Sequence, residues 1–301
     1  MKILVVGGSY FLGRVYTMLA AQKHEVTVLN RGTYSMESFG ARCLRADRHD
    51  AAALRALSGE DYDVAVDFCA YQQGDIQTLL AGLAIAPRQY LLVSTVDVYE
   101  KWTGHSLTEE SPLEKRHFAG ETGEYIWQKI QLEKELRACC SGGDMAATIV
   151  RPALLYGPFN YAMRESVYVQ QACAGQEWLC PVGILGRFQP VYVKDAAAMI
   201  LCLTGKEQAY GKSYNLAGEQ VDYERFLTAF AGVSGGRARL CRVAADDLRL
   251  ADPAAFLPFP MQEEETEFYD GSRILEETGY PWTSLEAGLE KTWNAFAKLY
   301  L

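Results

Sequence analysis

No apolar run in this 301-residue chain approaches the ~20 residues that a bilayer-spanning helix needs, which excludes a helical membrane protein. Met1-Lys2 leads directly into a strand-like segment and not into a leader, so the expected setting is soluble and cytoplasmic, with no membrane partner. Positive charge is also scarce. The 29 Lys and Arg stand against 38 Asp and Glu, a net charge of −9, which disfavours nucleic acid and any other partner held mainly through a phosphate backbone. Cysteine pairing is absent as well: the eight cysteines at 43, 69, 139, 140, 173, 180, 202 and 241 contain no Cys-x-x-Cys and read as free thiols. His24, His49, His105 and His117 never fall at paired ligand spacing, so no metal site is expected. No internal repeat is visible.

What remains is the composition of an ordinary enzyme, 49% hydrophobic and 22% charged, which excludes disordered, collagenous and coiled-coil chains. At ~150 residues per domain the length accommodates about two. Lys2-Ile-Leu-Val-Val6 is a continuous apolar run closed by Gly7-Gly8, the pattern of a strand buried on both faces of a parallel sheet. Phe11, Leu12, Val15, Leu19 and Ala20 follow at helical spacing, and Glu25 to Leu29 reads as a second strand. The alternation predicts strands near 41–45, 64–68, 90–94 and 146–150, with helices near 50–58, 74–85 and 122–140. The fold class is therefore α/β, a Rossmann-type doubly wound parallel sheet with ligands at the carboxyl ends of its strands.

Beyond Arg151 the rhythm breaks, with Pro152, Pro158, Pro181 and Pro190 and a Pro-rich stretch over 252–260. We read a smaller, partly interleaved C-terminal substrate domain: 1–155 and 188–217 form the dinucleotide-binding domain, 156–187 and 218–301 the substrate domain. The acidic run 262–267 reads as a solvated surface. Leu285, Leu289, Trp293 and Phe296 share one face of a closing amphipathic helix.

Two constellations carry chemistry. Gly7, Gly8, Tyr10, Phe11, Leu12 and Gly13 sit where a strand becomes a helix, so bare backbone admits a pyrophosphate to the free N–H groups at the helix start. After the second strand stand Asn30 and Arg31. With no acid there to bind a ribose 2′-hydroxyl and repel a 2′-phosphate, NADP is favoured over NAD. Tyr125 and Lys129 lie one turn apart on the same helix face, where the ammonium is expected to lower the phenol pKa for proton exchange with a substrate hydroxyl. Among 18 tyrosines this is the one Tyr-x-x-x-Lys pair in the chain. Thr95, on the end of the preceding strand, offers a hydroxyl to the same cleft.

Gly7 to Gly13, Ser94-Thr-Val-Asp-Val-Tyr99, Tyr125-x-x-x-Lys129, Arg151-Pro-Ala-Leu-Leu-Tyr-Gly-Pro158 and Tyr192-Val-Lys-Asp-Ala196 occur in one order along the chain. That order resembles the extended short-chain dehydrogenase/reductases, the NAD(P)-dependent nucleotide-sugar epimerases and dehydratases. Nearly the whole chain is covered, on through Tyr214-Asn-Leu-Ala-Gly218 and Asp270 to Gly279. The resemblance implies that Thr95, Tyr125 and Lys129 are the catalytic Ser/Thr, Tyr and Lys. It also implies that Asp47 contacts adenine, that Phe68, Cys69 and Ala70 line the cofactor, and that Pro152 lies by the nicotinamide. A nucleotide-sugar substrate and a homodimer packed through the helix at 122–140 follow from the same likeness.

Two positions depart from the pattern. Tyr10 occupies the middle glycine of Gly-x-x-Gly-x-x-Gly. Asp97 falls where the 4,6-dehydratases carry a Glu base, with Val96 at the partner acid position, so Asp97 is either a base or a capping carboxylate. The Gly-Gly start and Asn-Arg-Gly look closest to a branch that includes chloroplast stem-loop RNA-binding proteins. That leaves a nucleotide- or RNA-binding member without turnover as the alternative to an oxidoreductase. Arg151, Arg187 and Arg225 are the candidate grips for a substrate diphosphate.

Overall fold

The computed structural model describes residues 1–55, 59–100, 106–251, 259 and 268–301. The first half alternates: β1 (Lys2–Val6), α1 (Phe11–Ala20), β2 (Glu25–Asn30), β3 (Arg42–Arg45), α2 (Ala51–Leu54), β4 (Val64–Asp67), α3 (Asp75–Ala81), β5 (Gln89–Val93), α4 (Glu121–Cys139) and β6 (Ala146–Pro152). Shorter pieces follow: β7 (Leu154–Tyr156), α5 (Glu165–Cys173), β8 (Trp178–Val182), β9 (Arg187–Phe188), β10 (Pro190–Tyr192), α6 (Val193–Leu203) and β11 (Ser213–Leu216). The chain closes with β12 (Val221–Asp222), α7 (Tyr223–Gly232), β13 (Leu240–Ala244), α8 (Ala245–Ala251), α9 (Ser272–Thr278) and α10 (Leu285–Ala297).

Seven strands form one parallel sheet in the order β11-β6-β5-β4-β1-β2-β3. Because successive strand side chains point to opposite faces, β1 feeds two cores. Ile3 and Val5 pack with Val15 and Tyr16 of α1 and with Ala196 and Ile200 of α6. Leu4 and Val6 pack with Ile76 of α3 and Leu132 and Leu136 of α4. Both faces are thus covered, which is why the strand reads as an unbroken apolar run. After β1 the chain winds outward through β2 and β3, then crosses back to β4 on the other side of β1. This reversal opens a crevice at the carboxyl ends of β1 and β4, where ligands bind in doubly wound sheets.

The expected α/β doubly wound sheet is therefore observed, with β11 added beside β6 by a late segment. The helix expected over 50–58 is shorter: Asp50 caps it through the Ala52 and Ala53 N–H groups, α2 ends at Leu54, and 56–58 lie outside the described residues. Gly82 ends the helix expected to reach 85. The acidic run 262–267 and the Pro-rich stretch, Phe259 apart, also lie outside the described residues. In α10 the four residues expected on one face, Leu285, Leu289, Trp293 and Phe296, are all buried. Three two-stranded pairings, β7 with β10, β9 with β12 and β8 with β13, knit the later segments together. No helix among the described residues is long and apolar enough to cross a membrane.

One buried ion pair ties α4 to β6. Arg151 Nε and Nη2 donate to the two Glu133 carboxylate oxygens at 2.9 and 2.6 Å, and Arg151 Nη1 donates to the Tyr99 hydroxyl at 2.7 Å. Both side chains are almost fully enclosed. Removing one partner leaves the other charge buried, so Glu133→Gln is expected to cost about 3–5 kcal/mol, read as a lower urea midpoint. Replacing both, as Glu133→Leu with Arg151→Met, is expected to recover most of that loss, because no charge is left buried.

Candidate active site

The glycine turn is built by close packing. Gly7 adopts a left-handed φ of 80°, and a Cβ there would lie 2.8 Å from the Cβ and Sγ of Cys69. A Cβ on Gly13 would come within 3.0 Å of the Gly7 carbonyl and 3.2 Å of the Phe68 ring. One on Gly8 would strike Thr17 and Val5. The glycines therefore let the end of β1, the start of α1 and the end of β4 converge. Gly7, Tyr10, Phe11, Leu12 and Gly13 line the cleft, whereas Gly8 sits behind its wall. Tyr10 is the N-cap residue of α1 with an extended backbone (φ −122°), and its ring turns outward, meeting Tyr34 edge-on at 5.1 Å. No side chain caps α1 and no acid occupies its first turn, so its leading N–H groups suit an anion.

At the far end of the crevice, Asn30 is occupied in shaping its own loop. It accepts the Gly32 N–H at 2.7 Å and donates to the Tyr34 carbonyl at 3.2 Å. Arg31 and Asp47 line the cleft beside it. Hydrogen bonds from the His49 backbone and ring, at 2.9 and 3.1 Å, hold the Asp47 carboxyl below its ordinary range.

Beneath lies a network that sequence reasoning missed. Buried Arg48 donates to both oxygens of Asp67 at 3.0 and 2.9 Å and to the Asp75 carbonyl at 2.9 Å. The Tyr90 hydroxyl and the Cys69 N–H complete the Asp67 shell. His49 Nε2 reaches Asp75 at 2.7 Å. Arg48 thus fixes the turn after β4, on which Phe68 and Cys69 face the cleft. Burial pushes the Cys69 thiol up to about 12, so it stays neutral near pH 7.

Thr95, Asp97, Tyr125, Lys129 and Pro152 all border the same cleft, at the ends of β5 and β6 and along α4. Lys129 is buried and donates to the Ala70 carbonyl at 2.9 Å and the Val93 carbonyl at 3.0 Å, which keeps one N–H in hand. Ala70 therefore serves from behind the wall. Burial lowers the Lys129 pKa to about 8, opposed by the Asp67 charge. Tyr125 is 39% exposed, yet burial of its hydroxyl, then the negative charge of Asp97, pushes its pKa well above the ordinary value. The expected lowering by Lys129 is not found in this state: the ammonium is turned to the two carbonyls, and Nζ lies 5.8 Å from the Tyr125 ring centre. Thr95 Oγ1 donates to Asp97 Oδ2 at 2.9 Å and accepts the Asp97 N–H at 3.2 Å, so Asp97 and Thr95 cap one another. The neighbouring Thr95 hydroxyl opposes the rise of the Tyr125 pKa.

The cleft measures about 1040 Å³, at the top of the range for single-ligand sites, and leaves room for two ligands side by side. Of the three expected grips, only Arg187 lines it. Arg151 is locked to Glu133, and Arg225 pairs with Glu286 at 2.5 Å on the surface. Arg164, which the sequence reading passed over, lines the cleft instead, on a segment that also brings Asn160 and Tyr161. A nicotinamide dinucleotide fits these residues. The uncapped α1 start suits its pyrophosphate, the spare Lys129 N–H suits its ribose, and Ser94 Oγ is a buried hydroxyl on the cleft wall with no hydrogen-bond partner.

A switch-point crevice with a glycine turn on one side and a Thr–Tyr–Lys group on the other defines a doubly wound α/β protein whose cleft suits a dinucleotide. The model of the NAD dependent epimerase/dehydratase family matches residues 75–217, just under half of the chain. It is 27% identical over 253 residues to the chloroplast stem-loop binding protein of 41 kDa b of Arabidopsis thaliana, covering 78% of this chain and 63% of that one. It is 25% identical over 224 residues to 2′-dehydrokanamycin reductase of Streptomyces kanamyceticus, covering 72% and 62%. The chain thus spans less than two thirds of the length of either relative. Its fold matches UDP-glucuronic acid 4-epimerase from Bacillus cereus, solved with UDP-glucuronic acid and NAD, at TM-score 0.78 and 18% identity over 100% of both chains. It also matches UDP-glucose 4-epimerase from Stenotrophomonas maltophila, solved with NAD and formylated UDP-arabinopyranose, at TM-score 0.78 and 18% identity over 99% and 98%.

Lys129 makes the site visible to pH. Its folded pKa of about 8 lies below the ~10.4 of an unfolded lysine, so between those values the unfolded chain binds more protons. Stability carried by this group therefore rises with pH across that window, by on the order of 3 kcal/mol. Lys129→Met is expected to lose the rise, measured as urea midpoints of both proteins from pH 7.5 to about 10.5.

Proposed function

We propose that this chain is an NAD(P)-dependent oxidoreductase acting on a hydroxyl or keto group of a nucleotide-sugar-like substrate, as an epimerase, dehydratase or reductase. The observation that carries this reading is the meeting of Thr95, Tyr125 and Lys129 in the one cleft that also holds the glycine turn. In this reading Tyr125 exchanges the proton of the reacting hydroxyl, and Thr95 orients that oxygen. Lys129 holds the nicotinamide ribose, and the bound nicotinamide supplies the hydride acceptor. Pro152 and the Phe68–Ala70 turn bound the nicotinamide side, while Asp47 serves the adenosine end. Arg164 and Arg187 provide the positive charge for a substrate diphosphate. The solved epimerases name UDP-sugars as ligands and the Streptomyces relative names a reductase, which supports the substrate and reaction class.

Tyr125 is held high by burial and by Asp97, so it keeps its proton until positive charge arrives beside it. Tyr125→Phe is expected to lower turnover by about 10²–10⁴-fold while leaving cofactor affinity unchanged, measured on a panel of UDP-hexoses and UDP-uronic acids with product mass as readout. Full activity in that variant would remove Tyr125 from the chemistry. Arg31 with no acid at the end of β2 favours NADP, so side-by-side titration is expected to give tighter binding of NADPH than of NADH. Arg31→Ala is expected to erase the difference. The RNA-binding alternative has the Arabidopsis likeness in its favour and predicts a strongly salt-dependent RNA affinity, against the net charge of −9.

A further inference from the structure

The aromatic rings over the glycine turn have no part in the chemistry above. Tyr10 stands where the family pattern has a glycine. Its ring meets Tyr34 at 5.1 Å and Tyr161 at 6.3 Å, and Phe11 meets Tyr161 at 6.4 Å, each edge to face. These contacts draw three separate segments together over the start of α1: the glycine turn, the loop after β2 and the loop between β7 and α5. Two of the aromatic residues in these segments hold left-handed backbone that bulky side chains avoid, Phe11 at φ 35° and Phe159 at φ 68°. Strain of this kind persists where surrounding structure enforces it, and it gathers at ligand clamps.

The loop before α5 is pinned from two sides. The Arg14 guanidinium lies 4.7 Å over the Phe159 ring, with Phe39 and Tyr34 at 5.7 and 5.9 Å. Underneath, buried Glu165 accepts the Asn160 amide at 2.9 Å and the Gly157 N–H at 3.3 Å. Tyr161 is held out from this anchored base and remains 71% exposed, with Tyr10 at 43%, so both rings have surface left to cover a ligand. Both also line the cleft at the glycine turn.

We propose that Tyr10 and Tyr161 form a clasp that closes over the pyrophosphate of a bound nicotinamide dinucleotide and keeps the cofactor resident. The proposal rests on the oxidoreductase reading. The α1 start attracts the anion, and the two rings close the side from which it would leave. A resident nicotinamide suits a reaction that returns the hydride it takes, oxidising and then reducing the same substrate.

The test follows cofactor release and not turnover. The protein is loaded with NADPH, mixed with excess NADP⁺, and the decay of NADPH fluorescence is timed; NADH and NAD⁺ are run in parallel. Tyr161→Ala and Tyr10→Gly are expected to release the cofactor about tenfold faster than the native chain, the scale of losing one or two aromatic edge contacts. Tyr161→Phe, which keeps the ring, is expected to release it at the native rate. Near-native release from both Tyr161→Ala and Tyr10→Gly overturns the clasp and leaves the oxidoreductase reading intact. A native chain that binds neither NADPH nor NADH overturns both.

Discussion

Three backbone segments meet at the switch point of the sheet with no room for a side chain between them, and the site is organised around that approach. The turn after β1, the first turn of α1 and the turn after β4 touch through Gly7, Gly13, Phe68 and Cys69. Any Cβ at the glycines would push α1 away from the sheet. With α1 seated, its uncapped N-terminus points into the crevice, and its middle is tied to the end of α6 through the Tyr16–Thr204 hydroxyl pair at 3.0 Å. The same seating sets where an anion in the crevice would meet the helix dipole.

Among the described residues, three buried cations set the electrostatics around the site. Arg48 is paired with Asp67, Arg151 with Glu133, and Lys129 with two backbone carbonyls. The first two are neutralised by carboxylates, so they brace strands and present no charge to a ligand. Lys129 faces carbonyl dipoles and no carboxylate at hydrogen-bonding distance, so burial lowers its pKa, and its charge remains available to the cleft. A net charge of −9 therefore says little about the cleft itself, which Arg164 and Arg187 also line.

Much of the fold was legible because strands buried on both faces must be apolar throughout. β1, β2, β4 and β5 announce themselves in this way, and the helices between them by their spacing. The short pairings were not legible. β9 and β12 are two residues each, too short for any period, and they exist because distant segments offer each other an edge. In the site, Tyr125 and Lys129 were visible because four residues is one helical turn, and Thr95 because it ends a strand. Arg48 was not, since Asp47-Arg48-His49 reads as a charged loop, and only the packing of β4 against it makes it a buried strut. Arg151 looked like a ligand grip because it closes a strand beside Pro152. Its partner Glu133 lies 18 residues earlier on a different element.

By itself the sequence determined six of the seven sheet strands, the place of the glycine turn and the candidate Thr–Tyr–Lys group, because each depends on residues close together in the chain. Tertiary structure alone decided which charges are spent on the fold and which face the cleft, and in which direction the Tyr125 pKa moves. It alone also decided that Tyr10 turns outward to meet Tyr34 and Tyr161. Those outcomes depend on burial and on partners tens to more than a hundred residues away, and local sequence carries no measure of either.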